Sequence, residues 1–152
     1  MQNHGTVDSQ EVYAVFLIAG KEHGIAIEAI SSILNPLGDY SLTEQFTIGL
    51  DSIKMGKEEV PFINFYKLSH VTSPPHSQRT RIIIVNSDGL KAAFYVEQIT
   101  DFISSNTKYS FHKERISIME QPYIKWQIIY GNRYILLPDF DQMLEEMSQK
   151  PE

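Results

Sequence analysis

One pattern is written twice in this chain, and that repetition limits the fold more than any feature of its composition. GIAIEAISSIL, residues 24 to 34, opens with alternating Ile25 and Ile27, passes Glu28, and continues through Ile30, Ile33 and Leu34. AFYVEQITDFI, residues 93 to 103, repeats it: a slide of 69 residues sets Ile25 on Phe94, Ile27 on Val96, Glu28 on Glu97, Ile30 on Ile99 and Ile33 on Phe102. A slide of 75 sets Ile53 on Ile128, Gly56 on Gly131, Val60 on Ile135, Asn64 on Asp139 and Phe65 on Phe140. One block alone would not exceed the chance reuse of Ile, Val and Gly in β-rich sequence. Two blocks in the same order predict two similar halves, about 12–72 and 80–148, each a small antiparallel β unit of about five strands. Units of that size bury too little surface to stand alone, so the halves are expected to share an apolar layer.

The local reading follows from period: two residues for a half-buried strand, 3.6 for a helix. VYAVFLI at 12–18 is apolar at every position, as a strand buried on both faces is, and Gly20 to Gly24 is read as a turn. Gly24–Ile27 then reads as a barrel strand and Glu28–Leu34 as a short turn that packs Ile30 and Ile33 at the barrel edge. Phe46 to Phe65 predicts two strands joined near Met55-Gly56-Lys57, then a helical turn at Asn64–Ser69. Residues 71–79, with Ser73-Pro74-Pro75, form the linker. Arg81–Val85 and Leu90–Val96 flank the hairpin signal Ser87-Asp88-Gly89, and Tyr123–Tyr130 and Arg133–Leu137 flank Gly131-Asn132. Residues 104–120 are polar and mixed, with a short strand suggested at 116–119. Asp139 as N-cap, Gln142 three residues later, and Phe140, Met143, Leu144 and Met147 at helical spacing predict a C-terminal helix with its methionines in the core. Residues 1–10 are read as a disordered start, 11–148 as one domain and 149–152 as a tail.

Composition narrows function chiefly by exclusion. The chain has 152 residues, no cysteine and no signal-like start, which predicts a cytoplasmic protein with no disulfide scaffold and no direct membrane insertion. Nineteen acidic against 13 basic residues give a net charge of -6, which disfavours a nucleic-acid backbone as partner. The five histidines show no H-x-H or H-E-x-x-H spacing, so no metal site is expected, and His23 reads as a partly exposed turn residue. GLDSIKMGK at 49–57 has the wrong glycine spacing for a phosphate loop, and Glu58 stands where the magnesium-holding hydroxyl belongs. Glu58 and Glu59 point to opposite faces of a strand, so they form no acid–base pair. No catalytic residue, cofactor or metal is expected, and the reading is of a non-enzymatic chain.

Four stretches, VFLIAGKEHGIAIEAISSIL, VPFINFYKL, RIIIVNSDGLKAAFYVEQITDF and YIKWQIIYGNRYILLPDFDQML, together resemble the CheW-like domain family over residues 12–147. The resemblance rests on Y-G-I followed by V-x-E-I, P-V-x-D-L, G-L-L-V-D-x-V and L-L-D-x-x-x-L, in that order. It implies a mainly β fold of two packed five-stranded SH3-like barrels with short helices and a C-terminal helix. It also implies a scaffold that couples chemoreceptor cytoplasmic tips to the regulatory domain of a CheA-type histidine kinase, with recruitment to membrane receptor arrays.

The departures from that pattern mark the candidate interaction residues. Ser32, flanked by Ile30 and Ile33, stands where the family prefers an acid. The family's N-x-R-G turn is replaced by a hairpin two residues longer, in which Lys54 or Lys57 takes the place of an arginine beside Gly56. A two-residue insertion preserves the in-and-out alternation of both strands, but lysine lacks the planar fork of arginine. Trp126 replaces a glycine, and its indole either packs between strands or becomes a contact anchor. These changes bear on the receptor surface more than on pairing with a kinase or another CheW-type domain. Three rival readings stand beside the coupling adaptor: an adaptor of another pathway that no longer binds receptors, a sensor holding a small metabolite in an inter-barrel groove partly lined by Trp126, and a single-strand nucleic-acid binder using Tyr123 and Tyr130.

Overall fold

The computed structural model describes residues 10–37, 46–106, 110–116 and 123–148, and in it the apolar runs become strands covered on both sides. Twelve strands and two helices are present among the described residues: β1 (Val12–Ile18), β2 (Lys21–Ala26), β3 (Ile30–Leu34), β4 (Phe46–Ile48), β5 (Ser52–Met55), β6 (Glu58–Pro61), α1 (Phe65–Leu68), β7 (Arg81–Ser87), β8 (Leu90–Val96), β9 (Gln98–Ser104), β10 (Phe111–Arg115), β11 (Ile124–Tyr130), β12 (Arg133–Pro138) and α2 (Phe140–Ser148). The fold is mainly β, in two packed SH3-like subdomains.

One subdomain is a six-stranded sheet in the order β10-β11-β12-β2-β1-β9. The other consists of two three-stranded sheets, β4-β5-β6 and β3-β7-β8. A single parallel bridge, Phe62 to Ala93, joins them, at the place where the six-stranded sheet has its parallel β12–β2 pairing at Leu136 and His23. The strand order is therefore the same in both subdomains, six strands each where the sequence suggested about five.

The division of the chain at the linker is not the division of the fold. β1 and β2 of the first half pair with β9–β12 of the second, and β3–β6 join β7 and β8. The exchange happens at the repeated block. Around Glu28 a 3-10 turn (Ile27–Ala29) carries the chain from β2 into β3, and a bend at Glu97 carries β8 into β9. Ile30–Leu34 is thus a strand and not the helical turn its spacing suggested, because β7 offers it a ladder that local periodicity cannot reveal. The repeat is closer in structure than in sequence. The β3–β7 register slips at Ser31 and the β1–β9 register at Thr100, positions 69 residues apart. The turns at Ala19-Gly20 and Asp88-Gly89, also 69 apart, all have positive φ.

Alternation along these strands builds three cores. β1 sends Ala14, Phe16 and Ile18 into a layer shared with Ile83, Val85, Phe94, Phe65 and Phe140, and Tyr13 and Val15 into the core of the six-stranded sheet beside Ile128 and Ile135. β7 sends Ile82 and Ile84 the other way, against Leu34, Ile53 and Val60. The expected shared apolar layer is this first cluster, in which the rings of Phe16 and Phe94 meet at 5.6 Å and those of Phe65 and Phe140 at 5.8 Å.

Four local expectations differ. Phe46–Phe65 holds three strands, since Gly49-Leu50-Asp51 turns the chain with a Gly49 N–H bond to the Ser52 carbonyl at 2.8 Å. Phe111–Arg115, read as mixed and polar, is β10, at the edge of the six-stranded sheet among the described residues. The first turn is only Ala19-Gly20, so His23 lies inside β2 and is buried. The capping box at α2 is half formed: Asp139 Oδ1 accepts from the Gln142 N–H at 3.1 Å, but the Asp139 N–H goes to the Tyr123 carbonyl and the Gln142 amide donates to Glu146. Asn64 caps α1 in the same way, accepting from the Lys67 N–H. The strand suggested at 116–119, the N-terminal segment and the tail lie outside the described residues, apart from Gln10 and Ile116.

Candidate protein-interaction surface

The sequence candidates fall at three places. The first is the edge strand β3, which pairs only with β7 among the described residues. Its register slip, a one-residue bulge of the kind that re-aims side chains, puts Ile30 opposite Val85 and Leu34 opposite Ile82, so Ile30 packs on the shared layer and Leu34 enters the β3–β8 core. Ser32 then faces with Ile84 and Ile33 with Ile83, on opposite sides of the sheet. Ile33 is 41% exposed. Strand alternation therefore separates Ser32 from Ile33, and the bulge brings Ile33 to the same face as Ile30.

The second place is the β5–β6 hairpin. Gly56 takes φ 63°, needs no room for a side chain, and starts a two-residue turn between Met55 and Glu58. Ile53 and Val60 point inward and are buried, while Lys54 and Glu59 point outward, so the alternation survives the longer hairpin. Glu58 is tied to Lys91 of β8 at 3.1 Å, and the Ser52 hydroxyl donates to Glu59 at 2.7 Å. Lys54 and Lys57 are exposed and make no ion pair among the described residues. Leu34, Phe46 and Met55 pack around the same core, so β3 and this hairpin belong to one subdomain.

Trp126 is elsewhere, in the other subdomain. On β11 it shares a face with the fully buried Ile128, but it lies opposite Arg115, the last residue of β10, and is 37% exposed. Lys113 Nζ and Arg115 Cζ sit 5.5 and 5.8 Å from its ring centroid. Lys113 also donates to the Tyr13 hydroxyl, which donates to Glu11 at 2.7 Å. Burial first, and then the Glu11 bond, push the Tyr13 hydroxyl above its ordinary range. Trp126 thus sits beside two cations, and it lines neither of the cavities described next.

Sequence reading missed the surface around the two helices. A groove of about 380 Å³ runs between α1 and α2, with Leu68, Tyr123, Met143 and Met147 as its apolar lining and Lys67 and Glu146 at its polar positions. Tyr123 donates to Glu146 at 3.0 Å, and that bond is the main reason its hydroxyl titrates higher than usual. Leu68 and Val71, 38% and 44% exposed, were the available signal: apolar residues that continue past a helix too short to bury them.

The described residues hold no cluster of three or more metal-ligating side chains. No described helix is long and apolar enough to cross a membrane. Among the described residues the surface offers a strand edge paired on one side, two lysines without an ion pair and an apolar groove, which is equipment for recognising protein.

Comparison with known proteins agrees with this reading. The family model of the CheW-like domain matches residues 13–148. Among solved structures, the scaffolding protein TtCheW from Thermoanaerobacter tengcongensis superposes with a TM-score of 0.65 at 16% identity, over 91% of this chain and 90% of that one. No curated protein matches. At that identity the structural likeness establishes the fold, and the family model, spanning nearly all of the sequence, establishes kinship: the chain belongs to the CheW-like domain family, a family of non-enzymatic scaffolds, and is a CheW-type adaptor.

Proposed function

We propose that this chain couples chemoreceptors to a CheA-type histidine kinase, working at receptor arrays on the cytoplasmic side of the membrane. The kinase's regulatory domain docks on the subdomain that carries β3 and the β5–β6 hairpin. Ile33 supplies the apolar contact, while Ile30 and Ser32 set the edge and Lys54, Gly56 and Lys57 the neighbouring tip. The observation that carries this is the exposure of Ile33 on an edge strand that pairs on one side only among the described residues, since unpaired edges and isolated large apolar side chains are what partner domains use. A receptor-tip helix lies in the groove between α1 and α2, on Leu68 and Met147.

The test is a titration of isotopically labelled chain with a kinase regulatory domain and, separately, with a receptor-tip helix, read by amide shifts. The kinase domain is expected to move Ile30, Ser32, Ile33, Lys54, Gly56 and Lys57. Ile33→Ser should weaken that binding by about tenfold or more. If neither partner moves any of these residues or the groove, the coupling role is wrong. Movement with the kinase domain alone favours an adaptor that no longer binds receptors, a reading supported by lysines standing where the family's forked arginine would be.

A further inference from the structure

A second cavity, of about 210 Å³, lies between β2 and α1, with Ile18, Phe65, Leu68 and Ile124 among its walls. One polar side chain in its lining is deeply buried: His23, 5% exposed, with its ring stacked on Phe16 at 6.1 Å. The His23 Nδ1 is 2.9 Å from the carbonyl oxygen of Lys21. A carbonyl can only accept, so Nδ1 carries the proton, and in the neutral ring Nε2 carries the lone pair. Burial holds the ring neutral by lowering its pKa. Among the described residues Nε2 has no protein donor.

A largely apolar wall, with Lys21, Ser69 and Tyr123 as its other polar residues, and one buried acceptor without a protein donor among the described residues define its ligand. An anion would meet the imidazole lone pair, and a cation would lose its hydration to apolar walls. A neutral donor satisfies the nitrogen and fills the space. An engineered apolar cavity of about 150 Å³ takes up benzene, so this one has room for an aromatic ring with a substituent. We propose that the cavity is a binding site for a small neutral aromatic compound of phenol or indole size, its single N–H or O–H donor bonded to His23 Nε2. The site is separate from the β3 edge and the hairpin, so its occupancy can be tested without any partner protein.

The experiment titrates the intact chain with phenol and with toluene, which has the same shape without the donor, and follows the Leu68 and Ile124 methyl resonances and the His23 ring. Phenol is expected to shift all three saturably, and toluene to bind about tenfold more weakly, the worth of one hydrogen bond. His23→Phe keeps a stacked ring and removes the acceptor, and should make the two ligands equal. No saturable shift at these positions up to roughly 10 mM phenol, or equal binding of phenol and toluene to the unaltered chain, overturns the proposal. The toluene comparison needs no variant and decides the matter even if His23→Phe fails to fold.

Discussion

Glu97 collects three donors at the bend where β8 becomes β9: the Ala19 N–H at 2.6 Å, the Gly20 N–H at 3.2 Å and the Tyr66 hydroxyl at 2.8 Å. It binds the first turn and α1 to the crossover between subdomains. Replacing Glu97 with Ala strands those donors and should cost about 2–3 kcal/mol, measured as a shift in the urea midpoint. His23 makes a pH prediction. An unfolded histidine titrates near about 6.5, and burial puts the folded one lower, with the hydrogen bond to the Lys21 carbonyl opposing the shift, the Lys21 charge adding to it and Glu97 opposing it. Between the two values the unfolded chain holds the extra proton. Stability is therefore complete above about pH 6.5 and declines as pH falls, at up to about 1.4 kcal/mol per pH unit. Urea midpoints collected from about pH 5 to 7.5 should show that slope, and His23→Phe should remove it. Trp126, the only tryptophan, lies beside Lys113 and Arg115, so iodide should quench its fluorescence more strongly than caesium does. Equal quenching would mean the cations are not there. Ser32 illustrates what a single position can reveal: its identity was a departure legible in the sequence, while the face it points to was set by a bulge that was not.

Elements were legible where local chemistry was self-sufficient. The hairpins at Asp88-Gly89 and Gly131-Asn132 and both helix starts with their Asn64 and Asp139 caps follow from residues that act on their immediate neighbours. β3 was not legible, because ISSIL carries serines where a strand or a turn would serve equally, and the ladder with β7 decides. β10 was hidden for the same reason: FHKER is polar, and it becomes a strand because β11 pairs with it from Phe111 to Arg115. The fit of β2 against β12 makes a further prediction. A Cβ on Gly24 would sit 3.1 Å from Ile135 Cγ2 and 3.2 Å from Leu137 Cδ2, both in the core of the six-stranded sheet. Gly24→Val should cost about 1–3 kcal/mol by overpacking, seen as a lowered melting temperature. Leu90→Val, at an exposed position, is the control and should change little.

At the scale of the molecule the consequence of interleaving is cooperativity. Each subdomain draws strands from both halves, and one apolar layer serves both, so neither half can bury its core without the other. Residues 10–72 expressed alone should therefore be unfolded, and the whole chain should unfold in one transition with coincident far- and near-ultraviolet signals. Lengthening the linker within 71–79 by a few residues should cost less than about 1 kcal/mol, because closure entropy grows slowly with loop length. By itself the sequence determined the repeat, the apolar alternation, the turns and caps, and the kinship, since these depend on residue type and spacing along the chain. Only the tertiary structure decided that the repeated block is a crossover, that His23 is buried beside a cavity, that Ser32 and Ile33 face apart, and that Trp126 lies in the other subdomain. Those outcomes depend on which strand finds which partner, and that choice is made by burial of surfaces distant in sequence, which no local pattern encodes.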